Sequence, residues 1–452
     1  MNKERICDVC GSVVPADSPG GTCLTCALKT AFTDVDDFEG RTIGNYTIIE
    51  QIGRGGFGVV YLAGQSVPVR RHVALKILSR NSVDERLKGQ FVAEQQALAL
   101  MSHPNIAKIF DAGETEWGMP YFVMELIEGE PITSYCDRKK LTPRERIEIF
   151  RQVCSGVQHA HQKAIIHRDL KPANILVEEI DDRPVPKIID FGVAKAMGAP
   201  LADLSFHLEA GRVFGTPEYM PPEQARGDSD IDTRADIYSL GVLLYELLIG
   251  APPFSRRELE QAGLEAILDK IENEDPPSPS ARLSSMEEHV TIVADDRHTA
   301  PSQLRKLVRG DLDWIVMKAL EKPRKRRYDS AGAFATDIDC YLDDRPLPSR
   351  RGTLAYRLRK YVRRNRLMVS AIGSIALVIL AAALVGYYLN RQNARQQADA
   401  LLNTLANSRV ERLPSVLAEL YPLRHLTREH LEGLGQDPKI ETRARAQLAL
   451  IQ

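Results

Sequence analysis

Three residues in one short stretch, and a fourth just after it, carry the functional groups of a phosphoryl-transfer site. A run from His167 to Asn174 (HRDLKPAN) is followed sixteen residues later by the Asp-Phe-Gly sequence that begins at Asp190. The Asp169 carboxylate could accept the proton of a hydroxyl group, and Lys171 could contact a phosphate. Asn174 and Asp190 offer the oxygen ligands that Mg²⁺ prefers when phosphates complete its shell. The alternative is a polar loop before a β-hairpin in some other α/β protein.

A glycine-rich turn upstream could hold the phosphates. The apolar pattern of residues 48–52 leads into Gly53, Gly55 and Gly58, which form a G-x-G-x-x-G motif. Glycines allow backbone N–H groups to approach phosphate oxygens closely. Dinucleotide-binding folds use the same spacing where a strand meets a helix. Because β-branched and aromatic residues follow the last glycine, we favour two strands joined by a turn that covers a nucleotide.

One lysine interrupts an apolar strand pattern that runs from Val73 to Leu78. Lys76 would be costly there without a partner, since a charge inside an apolar strand loses its hydration. Triphosphate oxygens and a glutamate could supply that partner. The amphipathic pattern of residues 87–101 predicts a helix that offers Glu94. An ordinary surface lysine and an ordinary helix glutamate are the alternative.

These motifs together resemble a eukaryotic-like serine/threonine protein kinase of the single-pass transmembrane type found in bacteria. The resemblance covers residues 46–345. It implies an α+β fold with two lobes, a small β-rich N-lobe (46–125) and a large helical C-lobe (126–345). It also implies transfer of the ATP γ-phosphate to protein hydroxyl groups, and Lys171 with Thr216 matches the serine/threonine pattern.

The resemblance assigns site roles residue by residue. Asp169 would be the catalytic base, and Lys171 would steady the transferred group. Asn174 and Asp190 would hold Mg²⁺, with Mn²⁺ as an alternative metal. Lys76 would form an ion pair with Glu94. The ATP site would be lined by Gly53, Gly55, Gly58, Val60, Ala74, Lys76, the gatekeeper Met124, the hinge residues Glu125 and Leu126, and Leu176.

The segment from Val193 to Phe214 resembles an activation loop. Arg168 resembles the arginine with which family members grip a phosphate on that loop. The loop offers the hydroxyl of Ser205 and the carboxylate of Glu209. Two hypotheses stay open: autophosphorylation at Ser205 activates the enzyme, or Glu209 partly mimics the phosphate and leaves it constitutively active.

Two structural roles also follow from the resemblance. Arg327 would pair with Glu223, the last residue of a Pro-Pro-Glu sequence. The family usually has alanine or serine at the first of these positions, Pro221. His167 would belong to a stacked apolar column and would not act as a base. The other members of that column would be Leu98, Ile109 and Phe191.

Residues 367–389 form an uncharged apolar segment that would span about 35 Å as a helix. It ends in a Tyr387-Tyr388 pair typical of a membrane interface. The segment before it is rich in arginine, whereas only Arg391 and Arg395 follow closely. Because basic flanks stay in the cytoplasm, we expect the kinase domain inside and residues 390–452 outside the plasma membrane. No signal peptide is evident at Met1. A buried core helix is the alternative.

Four cysteines near the N terminus have the spacing of a metal site. They form two C-x-x-C pairs with twelve residues between them, namely Cys7, Cys10, Cys23 and Cys26. Four thiolates at this spacing suit tetrahedral Zn²⁺, and a segment this short would depend on the metal for its folding. A redox pair or a disulfide loop is the alternative, disfavoured by a reducing cytoplasm. The other cysteines, Cys136, Cys154 and Cys340, are expected to be small buried hydrophobes.

Charge and composition limit the remaining options. The chain has 452 residues and a formal net charge of −2, which argues against a nucleic-acid-binding surface. Residues 255–310 are polar and proline-spotted, and we interpret them as a family-specific insertion, a solvated loop rather than a docking surface. Periodic apolar residues predict helices in the tail at 398–405 and 413–420 and again after Pro438, and the chain ends inside an apparent helix, which hints at a truncated gene.

The expected order of segments is 1–30 zinc-ribbon-like, 31–45 linker, 46–345 kinase, 346–366 basic juxtamembrane, 367–389 transmembrane and 390–452 helical extracytoplasmic tail. The expected partners are ATP, protein serine and threonine residues, and the membrane; a homodimer is compatible with such a receptor. Two other functions stay open: a catalytically silent pseudokinase scaffold, and a structural membrane anchor in which the zinc ribbon carries the function. Intact Lys76, Asp169 and Asp190 argue against both, since a scaffold needs neither a base nor metal ligands.

Overall fold

The structure is a computed structural model. It describes residues 5–6, 13–14, 38–55, 58–78, 101–191, 207–209, 212–214, 216–228, 230–254, 264–286, 289–436 and 438–451. The chain divides into two compact units, residues 1–357 and 358–452.

A six-stranded antiparallel sheet forms the first lobe of unit one. Its order is β3-β4-β5-β6-β8-β7. The strands are β3 (Thr42–Ile43), β4 (Tyr46–Gly55), β5 (Gly58–Gln65), β6 (Arg71–Leu78), β7 (Ile109–Glu114) and β8 (Pro120–Met124). Side chains on one face of a strand alternate with those on the other. Tyr61, Val73, Leu75 and Val123 are accordingly buried in one apolar cluster.

A larger helical lobe follows β8. Its central helix is α4 (Arg234–Ile249), in which fourteen of the sixteen residues are buried. A helix that is apolar on nearly every side can only be stable inside a core. The helix ends at Gly250, whose φ of 84° lies in the left-handed region that glycine tolerates.

Two helices precede α4 near the site, α1 (Ile132–Arg138) and α2 (Pro143–Gln162). The latter begins with a capping box, because the Thr142 hydroxyl accepts from the Glu145 N–H while the Glu145 carboxylate accepts from the Thr142 N–H. The rest of the lobe comprises α3 (Pro222–Ala225), α5 (Leu264–Asn273), α6 (Pro279–Ser285), α7 (His289–Asp295), α8 (Pro301–Val308), α9 (Asp311–Ala319) and α10 (Ala331–Leu342).

Short strands complete unit one. The strands β10 (Ile175–Ile180) and β11 (Arg183–Ile188) form a hairpin, and β9 (Glu130–Pro131) pairs with the outer side of β10. Two further hairpins are formed by β1 (Arg5–Ile6) with β2 (Val13–Val14) and by β12 (His207–Glu209) with β13 (Arg212–Phe214).

The interpretation of residues 255–310 as a solvated loop was wrong for the described part, 264–286 and 289–310. Four helices lie there, α5 to α8, and Leu283, Leu304 and Val308 are fully buried. Pro279 and Pro301 each occupy the first turn of a helix. Proline is favourable there because the first N–H groups of a helix have no partner within it. Pro279 and Pro301 therefore mark helix starts, which a composition argument cannot distinguish from a loop.

The second unit consists of helices. A short helix α11 (Leu354–Arg364) begins in unit one and ends in unit two, and α12 (Arg366–Asn407) follows it. The C-terminal end of α12 packs with α13 (Leu413–Leu420), α14 (Arg424–Leu434) and α15 (Ile440–Ile451) around a small leucine-rich core. The predicted tail helix at 398–405 is thus the end of a longer helix, and 413–420 is found as predicted.

Among the described residues, α12 is the one helix long and apolar enough to cross a membrane. An 18-residue window of it has a mean hydropathy of 2.6, and none of that window is buried. The apolar segment 367–389 lies within this helix. Its large side chains are exposed to an extent that a soluble core helix would not show, for example 70% for Leu377 and 60% for Leu380.

Candidate active site

The loop that contains Asp169 is attached to the central helix by one buried carboxylate. Asp236 in α4 accepts from the backbone N–H groups of His167 and Arg168, each at 2.8 Å, and its Oδ2 lies 2.7 Å from Nε2 of His161. Burial opposes ionisation of this carboxyl group, but the hydrogen bonds from His161 and His167 outweigh it and lower the pKa of Asp236. The carboxylate thus holds the loop in place, and Arg168 adopts a positive φ of 64°.

His167 is fully buried, and both of its ring nitrogens form hydrogen bonds to the backbone. Its Nδ1 accepts from the Asp169 N–H at 3.3 Å, so Nε2 carries the proton and donates to the Ile189 carbonyl at 3.0 Å. Burial lowers the pKa of His167, which keeps the ring neutral. The ring lies 4.7 Å from that of Phe191, as the predicted packing role requires. Ile109 begins β7, and Leu98 lies outside the described residues.

Three predicted site residues lie together at the end of this loop. The Lys171 Nζ is 2.9 Å from Oδ2 of Asp169. Asn174 donates from Nδ2 to the Asp169 carbonyl at 2.8 Å and to the Asp169 carboxylate at 3.1 Å. Asn174 is positioned by a short 3₁₀ turn, Pro172–Asn174. Because Nδ2 faces Asp169, the amide oxygen of Asn174 is the atom left to accept or to bind a cation.

Lys76 and Asp190 connect the two lobes. Lys76 projects from β6, and its Nζ lies 2.7 Å from Oδ1 of Asp190. Both side chains are partly accessible, at 15% and 26%. Asp190 has a positive φ of 57°, a conformation uncommon outside glycine, asparagine and aspartate. The predicted partner of Lys76, Glu94, lies outside the described residues.

The glycine-rich turn is a strand–turn–strand, as predicted. Gly55 at the end of β4 pairs with Gly58 at the start of β5. Gly58 has a φ of 153°, and a Cβ there would lie 2.0 Å from the Ile77 carbonyl oxygen. A Cβ on Gly55 would meet nothing within 4 Å, and one on Gly53 would meet only Val60 at 3.9 Å. The chain therefore requires glycine at 58 for its own packing, while 53 and 55 leave open space.

The predicted ATP-lining residues lie on adjacent strands and the segment after β8. In the sheet Val60 is opposite Lys76, and Ala74 is opposite Met124. Leu176 lies in β10, opposite Lys187. The backbone of Glu125 donates to the Lys108 carbonyl at 2.8 Å, and Leu126 follows it. The residue types at the site suit Mg²⁺ together with a polyphosphate. An aspartate and an asparagine supply oxygen ligands, and a lysine and glycines with open space around them can contact phosphates.

Sequence reasoning missed the positions that hold this arrangement in place. Lys187 is one of them: its Nζ lies 2.9 Å from Oε1 of the predicted hinge residue Glu125, so that side chain serves to fix the hinge. Gln224 donates to the Arg168 carbonyl at 3.2 Å. Asp236 and His161 are the others. For Asp236 the available signal was an acid in the first turn of the apolar helix α4, because a buried charge there needs several donors.

The segment after residue 215 is fixed by a buried ion pair. Arg327 forms a bidentate pair with Glu223, at 2.6 and 2.8 Å, as the resemblance implied. Thr216 precedes the 3₁₀ turn Pro217–Tyr219. Ser205 lies outside the described residues, and Glu209 is described only as the last residue of β12.

The four N-terminal cysteines also lie outside the described residues. Elsewhere in the described chain, no cluster of three or more His, Cys, Asp or Glu side chains could hold a metal ion. The prediction that Cys136, Cys154 and Cys340 are buried is confirmed. Burial raises the pKa of the Cys136 thiol to about 12 and also raises those of the other two, so they are unreactive at neutral pH.

Comparison with known proteins agrees with this geometry. Residues 46–318 match the family model of the protein kinase domain. The chain is 33% identical over 346 residues to the serine/threonine-protein kinase Pkn1 of Myxococcus xanthus, covering 76% of this chain and 45% of Pkn1. It is 34% identical over 298 residues to PknB of Mycobacterium tuberculosis H37Rv, another serine/threonine-protein kinase, covering 65% of this chain and 42% of PknB.

The chain thus spans less than half the length of these two relatives. Among solved structures, the crystal structure of the Mycobacterium tuberculosis PknI kinase domain is similar, with a TM-score of 0.47 and 23% identity over 67% of this chain and 98% of that one. The family model covers more than half of the chain and contains every catalytic-loop residue described above. The chain belongs to the protein kinase family.

Proposed function

We propose that the protein is an ATP-dependent serine/threonine kinase that phosphorylates protein hydroxyl groups in signal transduction, including its own. The observation that carries the proposal is the cluster of Asp169, Lys171 and Asn174 on a loop held by buried Asp236. A scaffold without catalysis would gain nothing from a carboxylate held within hydrogen-bond distance of a lysine and an asparagine.

The site residues divide the tasks of this mechanism among them. Asp169 takes the proton of the substrate hydroxyl, and its contact with Asn174 orients the carboxylate. Lys171, 2.9 Å from Asp169, balances negative charge on the transferred group. Asn174 and Asp190 hold Mg²⁺, which when bound neutralises charge on the phosphates. Lys76 holds the nucleotide phosphates and, by its ion pair with Asp190, keeps that metal ligand in position.

The other segments serve location and regulation. Residues 367–389 cross the plasma membrane once, with the kinase domain in the cytoplasm and the tail outside, because the basic residues lie on the N-terminal side. Cys7, Cys10, Cys23 and Cys26 bind Zn²⁺ in a small ribbon. Arg168 receives an anion from the activation loop, either phosphorylated Ser205 or Glu209.

Labelling with radioactive ATP and Mg²⁺ tests the catalytic proposal. The full chain should label itself and a generic protein substrate on serine and threonine. Asp169→Asn should lower the rate by about 10³-fold or more, since it removes the base but keeps the hydrogen bond from Asn174. Asp182→Asn is a matched control, because Asp182 lies in an exposed turn at a φ of 59°, which asparagine accepts.

Phosphopeptide mapping of the labelled protein then decides between the two regulatory hypotheses. A fully active enzyme with unmodified Ser205 would eliminate autophosphorylation as the switch. ATP binding that requires Mg²⁺ without any transfer, in wild type and control alike, would favour the pseudokinase scaffold.

A further inference from the structure

A short amphipathic helix lies directly before the proposed membrane span. Helix α11 runs from Leu354 to Arg364, and Asn365 alone separates it from α12. Between Asp344 and Asp399 the chain contains no carboxylate, whereas nine lysines and arginines lie from residue 345 to residue 366 inclusive. Five of these cations are in the helix itself, which is therefore strongly cationic and contains no acidic residue.

One face of α11 is apolar and open. Leu354, Leu358, Tyr361 and Val362 are exposed by 85%, 63%, 47% and 39%. At 3.6 residues per turn these positions fall within an arc of about 100°, which is the width of a stripe that normally packs against something. The structure of the described residues leaves this stripe uncovered.

The opposite face of α11 is already used. Tyr356 accepts at its hydroxyl from the Leu347 N–H at 3.4 Å and donates to Asp311 at 3.1 Å, and Arg350 lies over its ring. Tyr356 lies about 160° around the helix from Leu358 at the same 100° per residue. The open stripe is thus the outward face of a helix that is attached by its other side.

Arginines flank the open stripe on both edges. On the helical projection Arg357 and Arg364 lie beside Tyr361, and Arg359 lies beyond Val362; all three are exposed. An apolar stripe with cationic edges fits a surface whose interior is apolar and whose rim carries phosphates. Tyrosine near the edge of such a stripe is typical of a bilayer interface.

We propose that α11 lies in the interface of the cytoplasmic leaflet, with its apolar stripe among the acyl chains and Arg357, Arg359 and Arg364 bound to anionic lipid headgroups. A protein partner would need an acidic rim around an apolar groove, whereas the bilayer provides both features where α12 is proposed to enter it. The inference rests on the membrane anchoring in the proposed function. It makes the anionic lipid content of the leaflet a determinant of how α11 is held.

The test places a tryptophan in the stripe and asks whether lipid reaches it. The full chain carrying Leu358→Trp is reconstituted in nanodiscs of phosphatidylcholine with brominated acyl chains, with or without about one third phosphatidylserine. We expect bromine to quench the added fluorescence in the anionic discs. Substitution of Arg357, Arg359 and Arg364 by glutamine should reduce that quenching, since each arginine near an anionic surface contributes on the order of fivefold in binding.

Two controls separate the possible failures. Glutamine at Arg409, Arg412 and Arg443, which are exposed in the tail, removes the same charge elsewhere and should leave the quenching unchanged. Leu377→Trp reports on the proposed span and should be quenched in every disc. If Leu377→Trp is quenched but Leu358→Trp is not, the inference for α11 is overturned; equal quenching of Leu358→Trp without phosphatidylserine overturns the role of the arginines. If Leu377→Trp itself escapes quenching, the membrane anchoring is wrong.

Discussion

The two ion pairs Lys76–Asp190 and Arg327–Glu223 differ in how completely their partners are used. Arg327 has five N–H donors, and the structure gives each an acceptor: both Glu223 oxygens and the carbonyls of Arg234, Glu321 and Lys322. Its side chain and that of Glu223 are 0% and 2% exposed. This pair has no capacity for a ligand, and it fixes the segment after residue 215 to the body of the lobe.

Lys76 has three N–H donors and, among the described residues, one carboxylate partner. The pair is partly accessible. Lys76 is opposite Val60 in the strand that follows the glycine turn, and Gly53 and Gly55 of that turn leave open space. A phosphate can therefore join the lysine without breaking a saturated network. A buried ion pair whose donors all have acceptors is thus structural, whereas a cation with donors still available can bind a ligand.

Removal of Arg327 should have the largest effect on stability. Arg327→Met leaves the Glu223 carboxylate buried without a cation and orphans three carbonyls, so we expect a loss of about 3–5 kcal/mol in the free energy of unfolding. Denaturation followed by tryptophan fluorescence measures this, because Trp117 and Trp314 both lie in unit one. Arg324→Met, which removes an exposed pair with Asp230, is the control and should change little. Equal losses in both variants would show that the buried pair contributes no more to stability than the exposed pair.

Removal of Lys76 should affect activity more than stability. Lys76→Met should lower the rate of phosphoryl transfer by roughly 10²–10³-fold, or about 3–4 kcal/mol in the barrier, because a preorganised charge near the phosphates is lost. The denaturation midpoint should move little. Lys139→Met is the matched control, since Lys139 forms an exposed pair with Glu179 at 2.5 Å, and it should retain full activity. An unfolded Lys76→Met protein would show that this pair is structural too.

The carboxyl group of Glu246 differs from those of both ion pairs, because its hydrogen-bond partner is a hydroxyl and not a cation. Glu246 in α4 accepts from Tyr219, and burial raises the pKa of its carboxyl to about 6, despite that hydrogen bond. Because the pKa of Glu246 is raised in the folded protein, the protonated carboxyl favours the folded state. This contribution to stability is fully present below about pH 4.5 and is lost as the pH rises through about 6. The 1.5-unit difference corresponds to about 2 kcal/mol.

Glu246→Gln should therefore stabilise the protein by up to about 2 kcal/mol at pH 7 and by less at pH 5, because the amide stays neutral at both values. Denaturation at the two pH values measures the difference. Glu116→Gln, at an exposed position, is the control. A Glu246→Gln protein that is less stable than wild type at pH 7 would mean that the ionised carboxylate is the favoured form.

How far the sequence predicted the site depends on the kind of residue. The glycine turn, the strand that carries Lys76 and the loop from His167 to Asn174 were predicted because their motifs are contiguous in the sequence. Asp236, His161 and Lys187 were not, because each makes its contact with a partner that lies 62 to 75 residues away along the chain. Such partners are set by packing, and no spacing rule connects them. The helices of residues 264–308 were missed for the same reason, since only packing decides whether a proline starts a helix or lies in a loop.

Residue types and local patterns predict which groups are available for phosphoryl transfer, the strand–turn–strand around the glycines and an apolar helix long enough for a bilayer. These follow from residue type and short-range periodicity, which do not depend on the rest of the chain. Tertiary packing brings Lys76 into an ion pair with Asp190, gives every N–H donor of Arg327 an acceptor, and places Asp236 beneath the catalytic loop as its hydrogen-bond acceptor. Those outcomes depend on burial and on which donors converge on one carboxylate, and both are fixed only when distant segments pack together.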